Sequence, residues 1–387
     1  MGRRVPSLPP LPAGLLPALT DFLVAEGLPT AEDALVAGTA GLSAAYNAAR
    51  FPVAWSAERE AARVAFFLPR DARKIEAALR DLPLPAADAL SVLDLGAGTG
   101  ASAVGALLAL RHAGHRGPVA IHLVEPEAPA LARAARLLGA LRPLLGPLSV
   151  HAFASDLAAA AGRHHLVVLG QVLVEVGHGS PEAARVALHA RLLGRLVQEH
   201  LHPEGLLAVV EPALKITSRR LQTVRQTLID TRAAAVLAPC PHDGPCPLLR
   251  RPDDWCHEDL AVDLPPSLHP IARAAGLRWQ GLTYSRLVLA PQPRRRPAAR
   301  VAAPPAPSRG KHTLSLCLPG ETALRPVDRL DRHATAHNAP WADAERGDAL
   351  DWPGGATAAR PGAEDRVRRG RDAWPEPTTE VEGKLSD

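Results

Sequence analysis

Four cysteines are the only thiols in a chain of 387 residues: Cys240, Cys246, Cys256 and Cys317. Two of them stand in the stretch Ala238-Pro239-Cys240-Pro241-His242-Asp243-Gly244-Pro245-Cys246-Pro247. The third stands in Asp254-Trp255-Cys256-His257, and the fourth returns much later in Leu316-Cys317. A reducing compartment rarely keeps structural disulfides, so three thiols in a Pro/Gly-rich loop plus a distant fourth read as a metal-ligand set. Four thiolates suit tetrahedral zinc or a 4Fe–4S cluster. Zinc knuckles favour two to four residues between ligands. Here five and then nine residues intervene, which fits a bulky cluster held by loops better than zinc. His242 and His257 are alternative ligands. The prolines stiffen the loop, so less order is lost when a metal is bound.

A second chemical pattern lies upstream. Ser91-Val92-Leu93-Asp94-Leu95 reads as a buried strand, Gly96, Gly98 and Gly100 follow at once, and an Ala-rich stretch from Ala101 to Leu110 reads as a helix. Strand, glycine turn and helix form the ligand-binding opening of a parallel sheet, because glycine lets the backbone turn sharply and lets a ligand approach closely. Asp94 lies near the end of the strand, and Glu125 closes the next one, Ile121-His122-Leu123-Val124. The combination looks like motif I of the S-adenosylmethionine (SAM) methyltransferases. A dinucleotide site and a turn with no ligand are the alternatives, and the phosphate-gripping G-x-x-x-x-G-K-[ST] loop is absent from the sequence. In the SAM reading Asp94 accepts from the glycine-loop amides or the ligand ammonium. Glu125 takes the two ribose hydroxyls. Asp156 lies after the third strand on the adenine side, and Gly170 and Gln171 line the pocket near the sulfonium. No catalytic residue is named. The Asn/Asp-Pro-Pro-Tyr segment of exocyclic-amine methylation does not follow the fourth strand, and no cysteine stands where a pyrimidine-C5 enzyme places its nucleophile.

These residues need a scaffold. Residues 1–85 have mostly helical periodicity, with a helix near Leu15–Glu26, a helix start at Thr30-Ala31-Glu32, an interruption at Pro69 and an amphipathic helix from Asp71 to Leu82. Residues 86–290 alternate. Strands are expected at Ser91–Leu95, Val119–Val124, Leu148–Ala154, Leu166–Leu169, Leu206–Glu211 and Tyr284–Ala290. Helices are expected at Ala101–Ala113, Ala128–Leu141, Pro181–Glu199 and Arg219–Ala235. This is an α/β pattern: a Rossmann-like doubly wound parallel sheet with its last strand antiparallel, a helical N-terminal region and the Cys loop 238–257 as an insertion. Residues 291–348 read as a basic linker and C-terminal extension carrying a short strand at Lys311–Leu318 and Cys317. Residues 349–387 read as a disordered tail.

Composition adds less. The formal net charge is +4 with 47% hydrophobic residues, and the excess is mostly Arg. Arg219, Arg220 and Arg225 share one expected helix, and Arg294, Arg295, Arg296 and Arg300 lie in the linker. Such clusters neutralise phosphates, or they are simply solvated arginines. No apolar run has the length of a membrane span, and the first residues lack a signal core. The expectation is a cytoplasmic monomer with no membrane partner.

Taken together, these motifs resemble the Rsm-type small-ribosomal-subunit methyltransferase-like family, found in bacteria and as an assembly factor of the mitochondrial small subunit. The resemblance is carried by residues 92–102, by Val210-Glu211-Pro212, by the cysteine stretch 238–247, by Asp254-Trp255-Cys256-His257, by Leu316-Cys317, and by Trp341-Ala342-Asp343 with Gly347-Asp348. It implies a class I SAM-dependent methyltransferase fold, a SAM pocket, a 4Fe–4S cluster on the four cysteines, and association with the small ribosomal subunit and its 16S-type rRNA. Its implied function is rRNA methylation, subunit assembly, or both. A non-catalytic assembly factor and a small-molecule methyltransferase with structural zinc are the alternatives. The chain departs from the family after the third cysteine. Where His-Phe and basic residues are usual, it has His257-Glu258-Asp259.

Overall fold

A computed structural model describes residues 8–48, 53–156, 162–355 and 360–374. The chain opens with α1 (Leu15–Ala25) and α2 (Glu32–Asn47). One long helix follows, built from α3 (Ala57–Ala62), a single π-turn over Arg63–Phe67 and α4 (Leu68–Leu79). The sequence predicts an interruption at Pro69, yet the helix runs through it. A proline ring clashes with the carbonyl four residues back, here Ala65. That carbonyl lies inside the π-turn, where the wider coil moves it aside.

The sheet region then follows as β1 (Leu90–Leu95), α5 (Ala101–His112), β2 (Val119–Glu125), α6 (Ala128–Leu145), β3 (Leu148–Ala154), β4 (His164–Gly170), α7 (Glu182–His200), β5 (Leu201–Glu211), α8 (Lys215–Asp230), β6 (Ala235–Ala238), β7 (Glu258–Leu260), α9 (His269–Ala274) and β8 (Leu282–Ala290). The strand order is β3-β2-β1-β4-β5-β8-β6, with β7 also paired to β8. The first five strands are mutually parallel, and β8 runs antiparallel to β5. This is the doubly wound sheet that the alternation predicts. The strands β6 and β7 are additions. Helix α8 stops at Asp230 rather than Ala235, which frees residues 235–238 to pair. Segments of three or four residues show too little alternation to be read as strands.

Sequence alternation decides which helices cover which face. On β1, Val92 packs into one core with residues of α4, α5 and α6. Leu93 and Leu95 point the other way, into a second core with α7 and α8.

The C-terminal segment is more ordered than its composition suggests. It forms β9 (Ala299–Val301), β10 (Ala306–Ser308), β11 (Lys311–Cys317), β12 (Arg325–Leu330), α10 (Ala339–Ala342), β13 (Ala349–Asp351) and β14 (Arg368–Arg369). These strands make a second sheet in the order β10-β11-β9-β13-β14, with β12 on β11. The sequence predicts a basic linker and C-terminal extension over residues 291–348, with a single strand at Lys311–Leu318 that is β11, and a disordered tail beyond it. Instead β13 pairs with β9 and β14 pairs with β13. The reason is a core of its own, in which Leu314, Leu316, Trp341, Leu350, Trp352 and Val367 are buried together. Trp341 and Trp352 meet edge to face at 5.5 Å. The rest of the expected tail, residues 356–359 and 375–387, lies outside the described residues. Among the described residues no helix is long and apolar enough to cross a membrane.

Helix α4 is pressed onto α5 at Gly105, where a Cβ would strike the Ala72 carbonyl and approach the Ile75 Cβ to 2.7 Å. Gly105→Ala should therefore cost about 1–3 kcal/mol, as overpacking does elsewhere. Chemical denaturation read by circular dichroism measures it, and an unshifted midpoint contradicts the close packing of the two helices.

Candidate cofactor crevice and thiol cluster

The glycine turn leaves β1 with Gly96, Gly98 and Gly100 at φ of +70°, +53° and +81°. All three lie in the left-handed region, which favours glycine. The crevice floor is tight. A Cβ on Gly96 would meet Val172 at 2.6 Å, and one on Gly98 would collide with the Arg63 guanidinium.

Asp94 is fully buried, and its Oδ2 accepts from the Ala103 amide at 2.9 Å. It therefore ties β1 to the first turn of α5, rather than accepting from the glycine-loop amides. Its Oδ1 is buried without a partner among the described residues. Burial pushes its pKa up to about 7, with the Glu125 charge adding to the shift. Glu125 ends β2 and bridges two turns. Its Oε2 accepts from the Gly98 amide at 2.9 Å and its Oε1 from the Glu127 amide at 3.2 Å. Both carboxylates thus stand beside the glycine turn, close enough for the charge of one to act on the other. Asp156 follows β3 and is exposed. Gly170 ends β4 with Ser102 against its Cα. Gln171 holds an unusual φ of +61° while its amide donates to Val210 O at 2.7 Å.

Sequence reasoning assigned no role to the buried carboxyl that holds the next loop. Glu211, at the end of β5, accepts from the amides of Leu173 (2.8 Å) and Val174 (3.0 Å). Burial pushes it up to about 8. It fixes the segment that follows Gly170 and Gln171. Its position in Val210-Glu211-Pro212, straight after a strand, was the available signal.

The four cysteines come together from two sheets. Cys240 follows β6, Cys246 and Cys256 lie in the loop, and Cys317 ends β11; all four are buried and unbridged. Burial pushes the Cys317 thiol up, and the nearby Cys240, Cys256 and Cys246 push it further. Cys246 is pushed up to about 12 by burial and then by Cys256 and Cys240. Each thiol therefore lies in the field of the others. His242 places Nε2 at 3.2 Å from Cys317 Sγ. Burial, helped by Arg225 and Arg296, holds His242 down to about 4 and so keeps it neutral. His257 turns instead toward Arg346 Nη2, 3.2 Å from its Nδ1. Among the described residues no group of three or more His, Cys, Asp or Glu is arranged to hold a single metal ion.

Five of the arginines that the sequence offers as phosphate contacts, Arg219, Arg220, Arg225, Arg296 and Arg300, have other partners. Arg225 donates to the carbonyls of His242 and Gly244. Arg219 donates to the carbonyls of Arg251 and Asp254, and Arg220 pairs with Glu182. These side chains fasten the cysteine loop to α8 and α8 to α7. Arg296 bonds Asp243 at 2.9 Å. Arg300 donates to Cys256 Sγ at 3.3 Å and to Glu258 Oε1 at 2.9 Å.

Glu258 is the departure from the family pattern noted above, and it is a buried ionic node. Arg286 Nε lies 3.0 Å from its Oε1, opposite Arg300. Burial alone raises its pKa, but Arg300 and Arg286 outweigh that and bring it to about 2.

A model of the family described as mitochondrial small ribosomal subunit Rsm22 matches residues 84–350. The chain belongs to the Rsm22 family. The match spans both the glycine turn and the cysteine loop. No curated protein matches the chain in sequence. Among solved structures, the mitomycin 7-O-methyltransferase MmcR is 14% identical over 61% of this chain and 57% of its own, with a TM-score of 0.35. Magnesium protoporphyrin IX methyltransferase ChlM from Synechocystis PCC 6803, with bound S-adenosylhomocysteine, is 10% identical over 66% of this chain and all of its own, at 0.35. A SAM-dependent methyltransferase from Leishmania major is 14% identical over 64% and 82%, at 0.34. The Rsm22 chain thus spans just over half the length of the first. The strand order, rather than scores of this size, carries the fold.

Two pH responses of opposite sign are expected. Glu258 has a folded value of about 2, below its ordinary 4.5. Its stabilisation is present above pH 4.5 and lost as pH falls through about 2. Glu258→Gln leaves two buried guanidiniums without a counter-charge and should cost about 3–5 kcal/mol at pH 7. Denaturant titrations across pH check this, and a variant as stable as the parent contradicts the node. Asp94 has a folded value of about 7, above its ordinary 3.8. Its contribution is present below pH 3.8 and lost as pH rises through about 7. Asp94→Asn keeps an acceptor for Ala103 and should flatten the fall in stability between about pH 4 and 7. An unchanged slope contradicts the buried, protonated state.

Proposed function

We propose that this Rsm22-family chain binds SAM in the crevice at the end of β1 and acts on the small ribosomal subunit, in rRNA methylation or in subunit assembly. The observation that carries the cofactor reading is Glu125, which ends β2 with its carboxylate on the Gly98 amide. A carboxylate there is placed to take the two ribose hydroxyls of an adenosyl ligand. Gly96, Gly98 and Gly100 let the ligand approach, Asp94 is buried beside the turn with its Oδ1 unpaired, and Asp156, Gly170 and Gln171 stand at the carboxyl ends of β3 and β4. Family membership supports the ribosomal partner, since the family is described by the mitochondrial small subunit.

A methyl group on a sulfonium is already electrophilic, so the protein's task is to align it with an acceptor. Glu211 contributes by fixing the segment after Gln171. The second reading, a SAM-dependent assembly factor that transfers no methyl group, is favoured by the Gly170-Gln171-Val172-Leu173 segment, which supplies no side chain that activates an acceptor.

The donor set of Cys240, Cys246, Cys256 and Cys317 fits a 4Fe–4S cluster. The four thiols lie close together in one buried region, and Arg300 donates to Cys256 Sγ as donors commonly do around cluster sulfurs. A cluster bound there supplies a covalent tie between the loop and β11, together with a one-electron redox couple.

Three measurements test this reading. Purified without oxygen, the protein should carry about four iron atoms per chain, and Cys246→Ala should lose them. One zinc and no iron points to the zinc alternative. Calorimetry should show binding of S-adenosylhomocysteine, and Glu125→Ala should weaken it about tenfold or more. Immature small subunits given protein and methyl-labelled SAM then separate the two roles. Label in rRNA supports the enzyme, whereas subunit binding without label supports the assembly factor. Failure to bind either SAM or subunits overturns both.

A further inference from the structure

The long N-terminal helix is irregular where it crosses the glycine turn. Its one π-turn begins at Arg63, and π-turns inside α-helices are frequent at functional sites because they rotate side chains out of the regular pattern. The Arg63 guanidinium rests against Gly98, with Nη2 too near to leave room for a Cβ on that residue. Its other face stacks on Trp55, with Cζ 4.6 Å from the ring centroid. A guanidinium stacked in this way keeps its N–H edge free to point outward and loses little freedom when it binds. The helix beneath it does not slide, because α4 is locked on α5 at Gly105 and by the Arg73–Glu76–His112 group.

Gly98 is therefore flanked by opposite charges. Glu125 holds its amide from one side, and Arg63 covers its Cα from the other. The Arg63 charge also reaches Tyr46 and Glu175. SAM has a matching polarity, with a ribose diol toward its adenine end and an α-amino acid at the other. A diol suits a carboxylate acceptor, and a carboxylate suits a planar guanidinium with two parallel N–H donors.

We propose that Arg63 holds the α-carboxylate of bound SAM, so that the N-terminal helical layer completes the cofactor site. The assignment rests on reading the crevice as a SAM site. It extends that site to a residue outside the span matched by the family, which begins at residue 84. It also gives the crevice a means of choosing between adenosyl ligands. Those carrying the amino-acid end gain the Arg63 contact, and those lacking it do not.

The test uses the full chain and calorimetry with S-adenosylhomocysteine, its carboxamide, and 5′-methylthioadenosine, which keeps adenine, ribose and sulfur but has no amino-acid end. Arg63→Met should weaken S-adenosylhomocysteine by about ten- to a hundredfold, as loss of a charge-assisted bidentate contact does. It should change 5′-methylthioadenosine by less than about twofold. Arg63→Lys should fall between Arg63→Met and the parent. In the parent protein the carboxamide should bind more weakly than the acid by a similar factor, a comparison that needs no variant to fold. Equal loss for all three ligands, or no loss for any, overturns the assignment of Arg63 and leaves the SAM site standing. A parent protein that binds none of the three overturns the SAM reading, and the Arg63 proposal with it.

Discussion

A buried carboxylate between two guanidiniums joins the two halves of this molecule. Glu258 stands on β7, Arg286 on β8 and Arg300 on β9, so a single ionic group connects the large sheet to the small one. Such a group is stable only as a whole, because removing one partner leaves an uncompensated charge out of water. Arg286 also reaches back to the Ala78 carbonyl at the end of α4, which brings the N-terminal layer into the same arrangement. Two positive charges against one negative leave Arg300 facing the Cys256 sulfur. Burial drives that thiol toward its neutral form, and Arg300 pulls it the other way.

The thiol cluster and the glycine crevice are built on different principles. The crevice is local: a strand, a turn and a helix consecutive in sequence, closed by an acid from the neighbouring strand. The thiols are non-local. They depend on Arg219 and Arg225 gripping loop carbonyls from α8, and on β11 arriving from another sheet. Arginines that would suggest a nucleic-acid face in an unfolded reading are here the internal supports of a loop with little regular structure of its own.

That difference explains what the sequence discloses. The glycine turn, the carboxylate positions Asp94 and Glu125 and the parallel strands are legible because local alternation and glycine spacing determine them. The short strands β6 and β7 are not, since they exist only through pairing with β8. The second sheet is hidden for a similar reason. Only β11 shows in the sequence, as the alternation at Lys311–Leu318; the rest of its core draws single apolar residues from Ala299 to Val367, too sparse in any one window to signal a strand. Arg63 was invisible because helical periodicity treats it as one more exposed position. Its placement over Gly98 follows from the π-turn and from the way α4 sits on α5.

The ending of β11 at Cys317 has a consequence for how the protein is made. Three of the four thiols leave the ribosome about sixty residues ahead of the fourth, an interval of roughly three to twelve seconds at ordinary elongation rates. Throughout that interval Cys240, Cys246 and Cys256 lack the strand that brings Cys317, and for most of it they lack Arg300 as well. The newborn chain is thus open to oxidants at those sulfurs until β11 has been made.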